Sequence, residues 1–449
     1  MNRLQAGFAR VNVTPMLGIP IRGYYKPRFA EGVLDELEIN TLALACGDSK
    51  TVIFSVDACG IEQIHDIVLR KAVSEATGLP LEAIYLTSTH THTGPEIESC
   101  SDDPLIEEYF QHLKWKLADA ARYALDDLKP ARMGWGIGNA PNIAFVRRFR
   151  MRDGSVRTNP GVNNPDILHP IGDIDERVTV LRFDRENADT IVFANFGNHP
   201  DVVGGCGISA DWPGFCRRTV EKVFDNVKCI FTNGAQGDLN HVNVHPTGGY
   251  LNDMFMDFDD VARGYNHARY MGRVVAAGVM QVFDKVKYVD VEHLRFLQRT
   301  VHVPSNRCEP NELPEAYHIK QMHEAGRDGE LPYKGMLLTT KVAEALRKVR
   351  LENGPDAFDV VISGIAMDNI ALIGVAGEPF MGVGKTLKET EGWALVIPTC
   401  LTNGCEGYFP TLDAYEEGGY EAGSSQFKAG VAELIIREGQ ALLEQLKLC

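Results

Sequence analysis

The sequence contains no run approaching about 18 consecutive apolar residues, which excludes a helix that spans a membrane. No apolar stretch follows Arg3, so an export signal is not expected in the opening residues. Paired cysteines are missing too. The ten cysteines stand singly, without a CxxC. Cys46, Cys59 and Cys229 lie in or beside apolar runs and read as buried thiols. The expectation is a reduced, disulfide-free, cytoplasmic protein. Positive charge is scarce: 45 Lys and Arg against 61 Asp and Glu leave a net charge of −16. That excludes an electrostatic nucleic-acid binder and disfavours polybasic attachment to anionic lipid. Repeats and low-complexity tracts are absent. With 44% hydrophobic and 24% charged residues the chain is not disordered, and 449 residues can bury a large core without covalent staples.

What is present is an alternation of strand-like and helical segments. Runs rich in β-branched residues and bounded by turns predict strands at residues 7–13, 39–46, 51–56, 83–89, 178–183, 190–196, 228–232, 360–365, 370–375 and 393–397. Apolar spacing predicts helices at 61–77 and 104–128, the latter with Ile106, Tyr109, Phe110, Leu113 and Leu117 near one face. Asp211 can cap a helix entered through Pro213, and further helices are expected at 260–283, 333–352 and 421–446. Gly, Pro, Asn and Asp crowd residues 148–175, and Pro246, Gly248 and Gly249 break up 241–260, so both read as long loops. The fold class is α/β, with mixed β-sheets covered by helices in one large catalytic domain over residues 1–449.

Residues with chemistry collect where strands end. Thr89-His90-Thr91-His92-Thr93-Gly94-Pro95 follows an apolar strand. In extended chain His90 and His92, two apart, face the same way and could hold a metal or its water. Alone, the pair fits two hydrogen-bonded loop histidines equally well. A second apolar strand ends in Asn198-His199-Pro200, a third in Gly377-Glu378-Pro379, and a fourth is followed by Glu406-Gly407-Tyr408. Each alone is ordinary, but α/β sites lie beyond the carboxyl ends of strands, so the repetition carries weight. Gly382-Val383-Gly384-Lys385-Thr386 suggests a phosphate loop, but Pro379 occupies the place of its first glycine.

In order along nearly the whole chain, these segments resemble the catalytic domain of the neutral/alkaline ceramidase family. The resemblance rests on Ala6–Pro15, Thr89–Pro95, Asn198-His199-Pro200, Gly237-Asp238, Gly377-Glu378-Pro379 and Gly419-Tyr420-Glu421. It implies a zinc held by His90, His199, Glu378 and Tyr408, with His92 beside the water that the metal activates. It also implies an arginine at the site, Arg147 or its neighbour Arg148. The family's catalytic serine segment reads Gly237-Asp238-Leu239-Asn240 here. Asn240 cannot form an acyl-enzyme, so direct attack by water is expected, with Asn240 offering an amide contact instead. The chain ends soon after Gly419-Tyr420-Glu421, so no C-terminal immunoglobulin-like domain is expected.

The reading is a zinc-dependent hydrolase of a carboxylic amide, with ester as a near variant. His92 is the candidate base, and Arg147 and Tyr408 are candidates to stabilise an oxyanion. The expected partners are a small-molecule or lipid-like N-acyl substrate and, where the chain self-associates, further copies of itself. Two other readings stand beside it. One is a metal-dependent hydrolase or lyase acting on a small polar or sugar-derived compound, which Arg147, Arg148, Arg150 and Arg152 would suit. The other is a non-catalytic metal- or ligand-binding homologue.

Overall fold

Alternation along single strands sets the layering of the computed structural model, which describes residues 3–448. In Glu38–Cys46, Ile39 and Ala43 face one side while Leu42 and Leu44 face the other; in Ser49–Val56, Val52, Phe54 and Val56 oppose Ile53. The first set packs on helices Gln63–Thr77 and Pro104–Asp126 through Leu69, Val73, Leu113 and Leu117. The second set packs on another sheet through Ile365, Ile370, Leu372 and Ile397. That sheet alternates likewise, and its Ala371, Ile373 and Val375 meet helices Met381–Lys388 and Val431–Leu448 through Leu387, Leu442 and Leu446. Two sheets thus lie face to face with helices outside each, which confirms the mixed α/β class.

The larger sheet runs in the order Val227–Asn233, Thr190–Phe196, Arg177–Arg185, Lys129–Asn139, Gln5–Asn12, Glu38–Cys46, Ser49–Val56, Ile84–Ser88, with Lys287–Val289 paired to Lys129–Asn139. The smaller runs Leu294–Pro304, Ala357–Met367, Ile370–Val375, Leu395–Thr399. Parallel pairing is confined to three places in these sheets: Ser49–Val56 with Ile84–Ser88, Thr190–Phe196 with Val227–Asn233, and Ile370–Val375 with Leu395–Thr399.

Several expectations are corrected. Residues 148–175 are not one long loop, since Arg148–Met151, Val156–Thr158 and Ile167–Pro170 form a three-stranded antiparallel sheet. Its alternation is real, with Phe149 and Met151 buried, but the turn residues between the short strands hide it. The helix expected at 421–446 is split into Tyr420–Ser424 and Val431–Leu448. The one expected at 260–283 begins only at Tyr265. Asp211 does not cap its helix from outside. It is the first helical residue, at φ 53°, and its carboxylate accepts from the backbone N–H groups of Val202, Val203 and Trp212. Lys129–Asn139 escapes the sequence pattern because Gly134, Gly136 and Gly138 fill one of its faces. A Cβ on Gly138 would collide with the Gly278 carbonyl, and one on Gly136 would crowd Val282. The glycines let helix Tyr265–Val282 lie directly on the strand.

Candidate active site

The segments named for chemistry follow strands Ile84–Ser88, Thr190–Phe196, Ile370–Val375 and Leu395–Thr399, and their carboxyl ends meet where the two sheets join. Backbone bonds stitch that junction: Asn403 N–H donates to the Leu86 carbonyl at 2.8 Å and Cys400 N–H to the Asn233 carbonyl at 3.0 Å. Glu378 and Tyr408 sit opposite each other in a short parallel bridge.

Four side chains converge. Glu378 Oε2 lies 3.2 Å from His90 Nε2 and 3.1 Å from His199 Nε2, and Tyr408 Oη lies 3.4 Å from His199 Nε2. All four residues are buried. His199 Nδ1 donates to the carbonyls of Gln236 and Leu239 at 2.9 and 2.8 Å, and His90 Nδ1 faces the Cys59 carbonyl. Holding the Nδ1 proton on a backbone carbonyl turns each Nε2 lone pair inward, as the outer partners of a metal-bound histidine do. Two imidazole nitrogens, a carboxylate oxygen and a phenol oxygen form a donor set that can hold a divalent metal. A second group, Cys59 with His90 and His92, also brings ligand atoms within 4.8 Å, but it shares His90.

The expectation that His90 and His92 face alike in extended chain is corrected. His90 is left-handed, at φ 78°, a strained position for a residue with a side chain. The turn still brings His92 Nε2 to 3.3 Å from His90 Nε2. Burial depresses His92 well below the ordinary imidazole value; nearby Asp201 opposes this, and His90 and His199 add to it. Burial and Arg147 bring His199 down to about 4. Burial would raise Glu378, but His90 and His199 hold it well below the usual carboxylate range.

Arg147 and Arg148 separate cleanly, because neighbours on an extended chain point apart. Arg147 Nη1 approaches His199 Nε2 at 3.4 Å, Nε donates to Glu421 Oε1 at 2.7 Å, and Nη2 donates to the Gly237 carbonyl at 2.6 Å. Arg148 turns away to Glu417 at 3.0 Å. Asn240 is not brought into the cluster. Its amide donates to Asn159 Oδ1 at 2.7 Å and its oxygen accepts from Val242 N–H at 3.0 Å, so both ends are held locally. Asn159 in turn donates its N–H to the Arg147 carbonyl at 2.8 Å.

Sequence reasoning missed Asp201 and Tyr24. Asp201 Oδ1 lies 3.7 Å from His92 Nδ1, a buried nitrogen without a hydrogen bond. Asp201 is itself pinned by Arg263, at 3.0 and 2.8 Å, and by the Tyr24 hydroxyl at 2.5 Å. The one local signal was a carboxylate two residues after His199. In the sequence Glu421 stands out only as part of a motif, and the structure adds its grip on Arg147. The cluster opens to a cleft of about 360 Å³, whose lining includes His90, His92, Glu378 and Tyr408. No described helix is long and apolar enough to cross a membrane.

No family model matches the chain, and no curated protein matches it significantly in sequence. Solved structures do match. The crystal structure of neutral ceramidase from Pseudomonas aeruginosa superposes with a TM-score of 0.72 at 18% identity, covering 99% of this chain and 75% of that one. A ceramidase complexed with C2 gives the same TM-score and identity, with 99% and 76% covered. The fold of the chain is therefore that of the neutral ceramidase structures, as the resemblance in the sequence implied.

Proposed function

We propose that the protein is a zinc-dependent hydrolase of a carboxylic amide, of the N-acyl class on which ceramidases act. The observation that carries this is the meeting of His90, His199, Glu378 and Tyr408 at an open cleft, on a chain that shares the ceramidase fold along 99% of its length. When bound, zinc supplies Lewis acidity and lowers the pKa of a water toward about 7. The four residues hold it, with His90 and His199 steered by their backbone partners. His92, neutral because it is buried, accepts a proton at Nε2 and returns it to the departing amine, while Asp201 faces Nδ1 and favours the tautomer that leaves Nε2 open. Arg147 stays cationic beside Glu421 and Tyr408 and offers N–H groups to a carbonyl oxygen gaining charge. Asn240 has no catalytic part in this scheme; it holds Asn159, which holds the Arg147 backbone. The nine described cysteines are free, which supports a reducing compartment such as the cytoplasm.

The test is metal content together with turnover. The purified protein should carry one zinc per chain and hydrolyse at least one member of an N-acyl amide panel. His90→Ala and Glu378→Ala should each lose the metal and the activity. Full zinc occupancy in both variants would remove the ligand assignment, and a zinc-loaded protein inert to every amide and ester would remove the reaction.

A further inference from the structure

The cleft above the cluster has a lining unlike that of a lipid site. None of the described residues that line it is aliphatic. Its apolar surface comes from the rings of Tyr24, Tyr25, Tyr408 and Tyr420 and from two cysteines. Its rim carries Arg22, Glu62, Glu96, Arg350 and Glu406, three acids against two bases, so neither sign dominates. At about 360 Å³ it is at the small end of ligand pockets, which run from about 300 to 1,000 Å³.

The polar groups are partly committed and partly open. Arg22 is bound by Glu62 at 2.8 Å and by Glu96. That leaves one oxygen of each carboxylate without a partner among the described residues. Arg350 makes one side-chain hydrogen bond, to Gln426 at 3.1 Å. The cleft therefore offers fixed acceptors, a guanidinium and flat aromatic faces, with charges of both signs and only one acid in excess on the rim. This pattern matches a neutral ligand rich in hydroxyl groups, whose O–H groups donate to carboxylates and whose C–H faces lie on rings. It does not match an alkyl chain, which gains about fourfold in affinity per methylene only when the methylene leaves water for an apolar surface. The larger apolar cavity of about 370 Å³, under Phe145, Phe149, Ile167 and Leu168, shares no lining residue with the cleft. Phe258 touches Tyr24 edge-on, but neither it nor exposed Phe255 and Met256 lines the cleft.

Resting on the amide-hydrolase reading above, we infer that the substrate is a short N-acyl derivative of a polyhydroxylated amine, such as an N-acetylated amino sugar, and not a long-chain sphingolipid. Glu62 and Arg350 are the residues that set this choice.

The experiment compares three probes on the zinc-loaded protein: N-acetylglucosamine, N-acetylsphingosine and N-palmitoylethanolamine, the lipids in detergent. Turnover and equilibrium binding are both measured. The expected result is at least about a thousandfold preference in kcat/KM for the sugar amide, beyond the roughly 10- to 200-fold that one methylene can give. Arg350→Leu, at an exposed position, should raise KM for that probe about tenfold, the loss of one charged hydrogen bond, and leave its kcat within twofold. If no probe is hydrolysed, the reaction assignment fails. Binding then decides the substrate class alone: saturable binding of the sugar amide without the lipids upholds it. Binding or turnover favouring either lipid, or no binding of the sugar amide, overturns it.

Discussion

On one flank of the cluster His92 stands 3.7 Å from Asp201, its Nδ1 buried and without a hydrogen bond. On the other, Arg147 is gripped by Glu421 at 2.7 Å and the Gly237 carbonyl at 2.6 Å, with the Tyr408 and Tyr420 rings 5.3 and 5.7 Å from its guanidinium. Both flanks are buried and both contain an ion pair, but the pairs are placed differently. Beside His92 the strong pairing is one step back, between Asp201 and Arg263. Beside Arg147 the pairing is to the arginine itself. A loosely held imidazole suits a group that must take up and release a proton. A guanidinium locked on several sides suits a charge that must not move.

Arg147→Ala should break this contrast most severely. It removes the partner of Glu421, whose side chain is 1% exposed, and leaves a buried carboxylate uncompensated. The expected loss of stability is about 3–5 kcal/mol, measured by denaturant unfolding. Arg148→Ala is the matched control. Arg148 is buried as well, at 3% side-chain exposure, but Glu417 is 22% exposed and keeps Arg150 at 2.6 Å, so no buried carboxylate is left alone and the cost should be smaller, about 1–3 kcal/mol. Equal losses in the two variants would show that the Arg147 pairing is not special.

His92→Ala should come next, and should act on rate more than on stability. Turnover should fall by about 10²–10⁴ while zinc stays bound, because the ligand set lies elsewhere. Asp201→Asn should fall between wild type and that variant, at about 10- to 100-fold, as for the outer partners of catalytic histidines. Loss of zinc in His92→Ala would instead favour the Cys59–His90–His92 group as the metal site.

These residues were not equally legible in the sequence. His90, His199 and Glu378 each follow a strongly apolar strand, and local pattern finds such places. The sheets were legible where side chains alternate, as in Glu38–Cys46, and not where glycine erases the alternation, as in Lys129–Asn139. Choosing between Arg147 and Arg148 needs the direction of one short strand, which depends on pairing across the chain. The Asp201–His92 approach joins segments more than a hundred residues apart, and its one local trace is a carboxylate two residues after His199. Sequence spacing does not reveal the left-handed backbone of His90: positive φ is uncommon outside glycine, and most of the others that adopt it in this chain are Asn and Asp.

Among the variants aimed at the site, Asn240→Ala should have the mildest effect on turnover, and it sharpens the comparison because Asn240 supports the Arg147 flank from behind. Its amide closes a chain of contacts through Asn159 to the Arg147 carbonyl. Deleting it leaves Asn159 Oδ1 and Val242 N–H short of a partner in a buried place, which costs about 1–3 kcal/mol in stability. Turnover should fall by less than in His92→Ala, since no atom of the reacting group is touched, and zinc should remain. The same geometry requires that no acyl-enzyme forms at this position, because an amide side chain is not a nucleophile. Intact-protein mass measurement during turnover of a slow substrate should show no acyl adduct, and one solvent oxygen should enter the product carboxylate in a single turnover. An adduct would mean that some other hydroxyl attacks. A hundredfold loss of kcat in Asn240→Ala with unchanged stability would mean that Asn240 reaches the substrate after all, by a rotation that gives up Asn159.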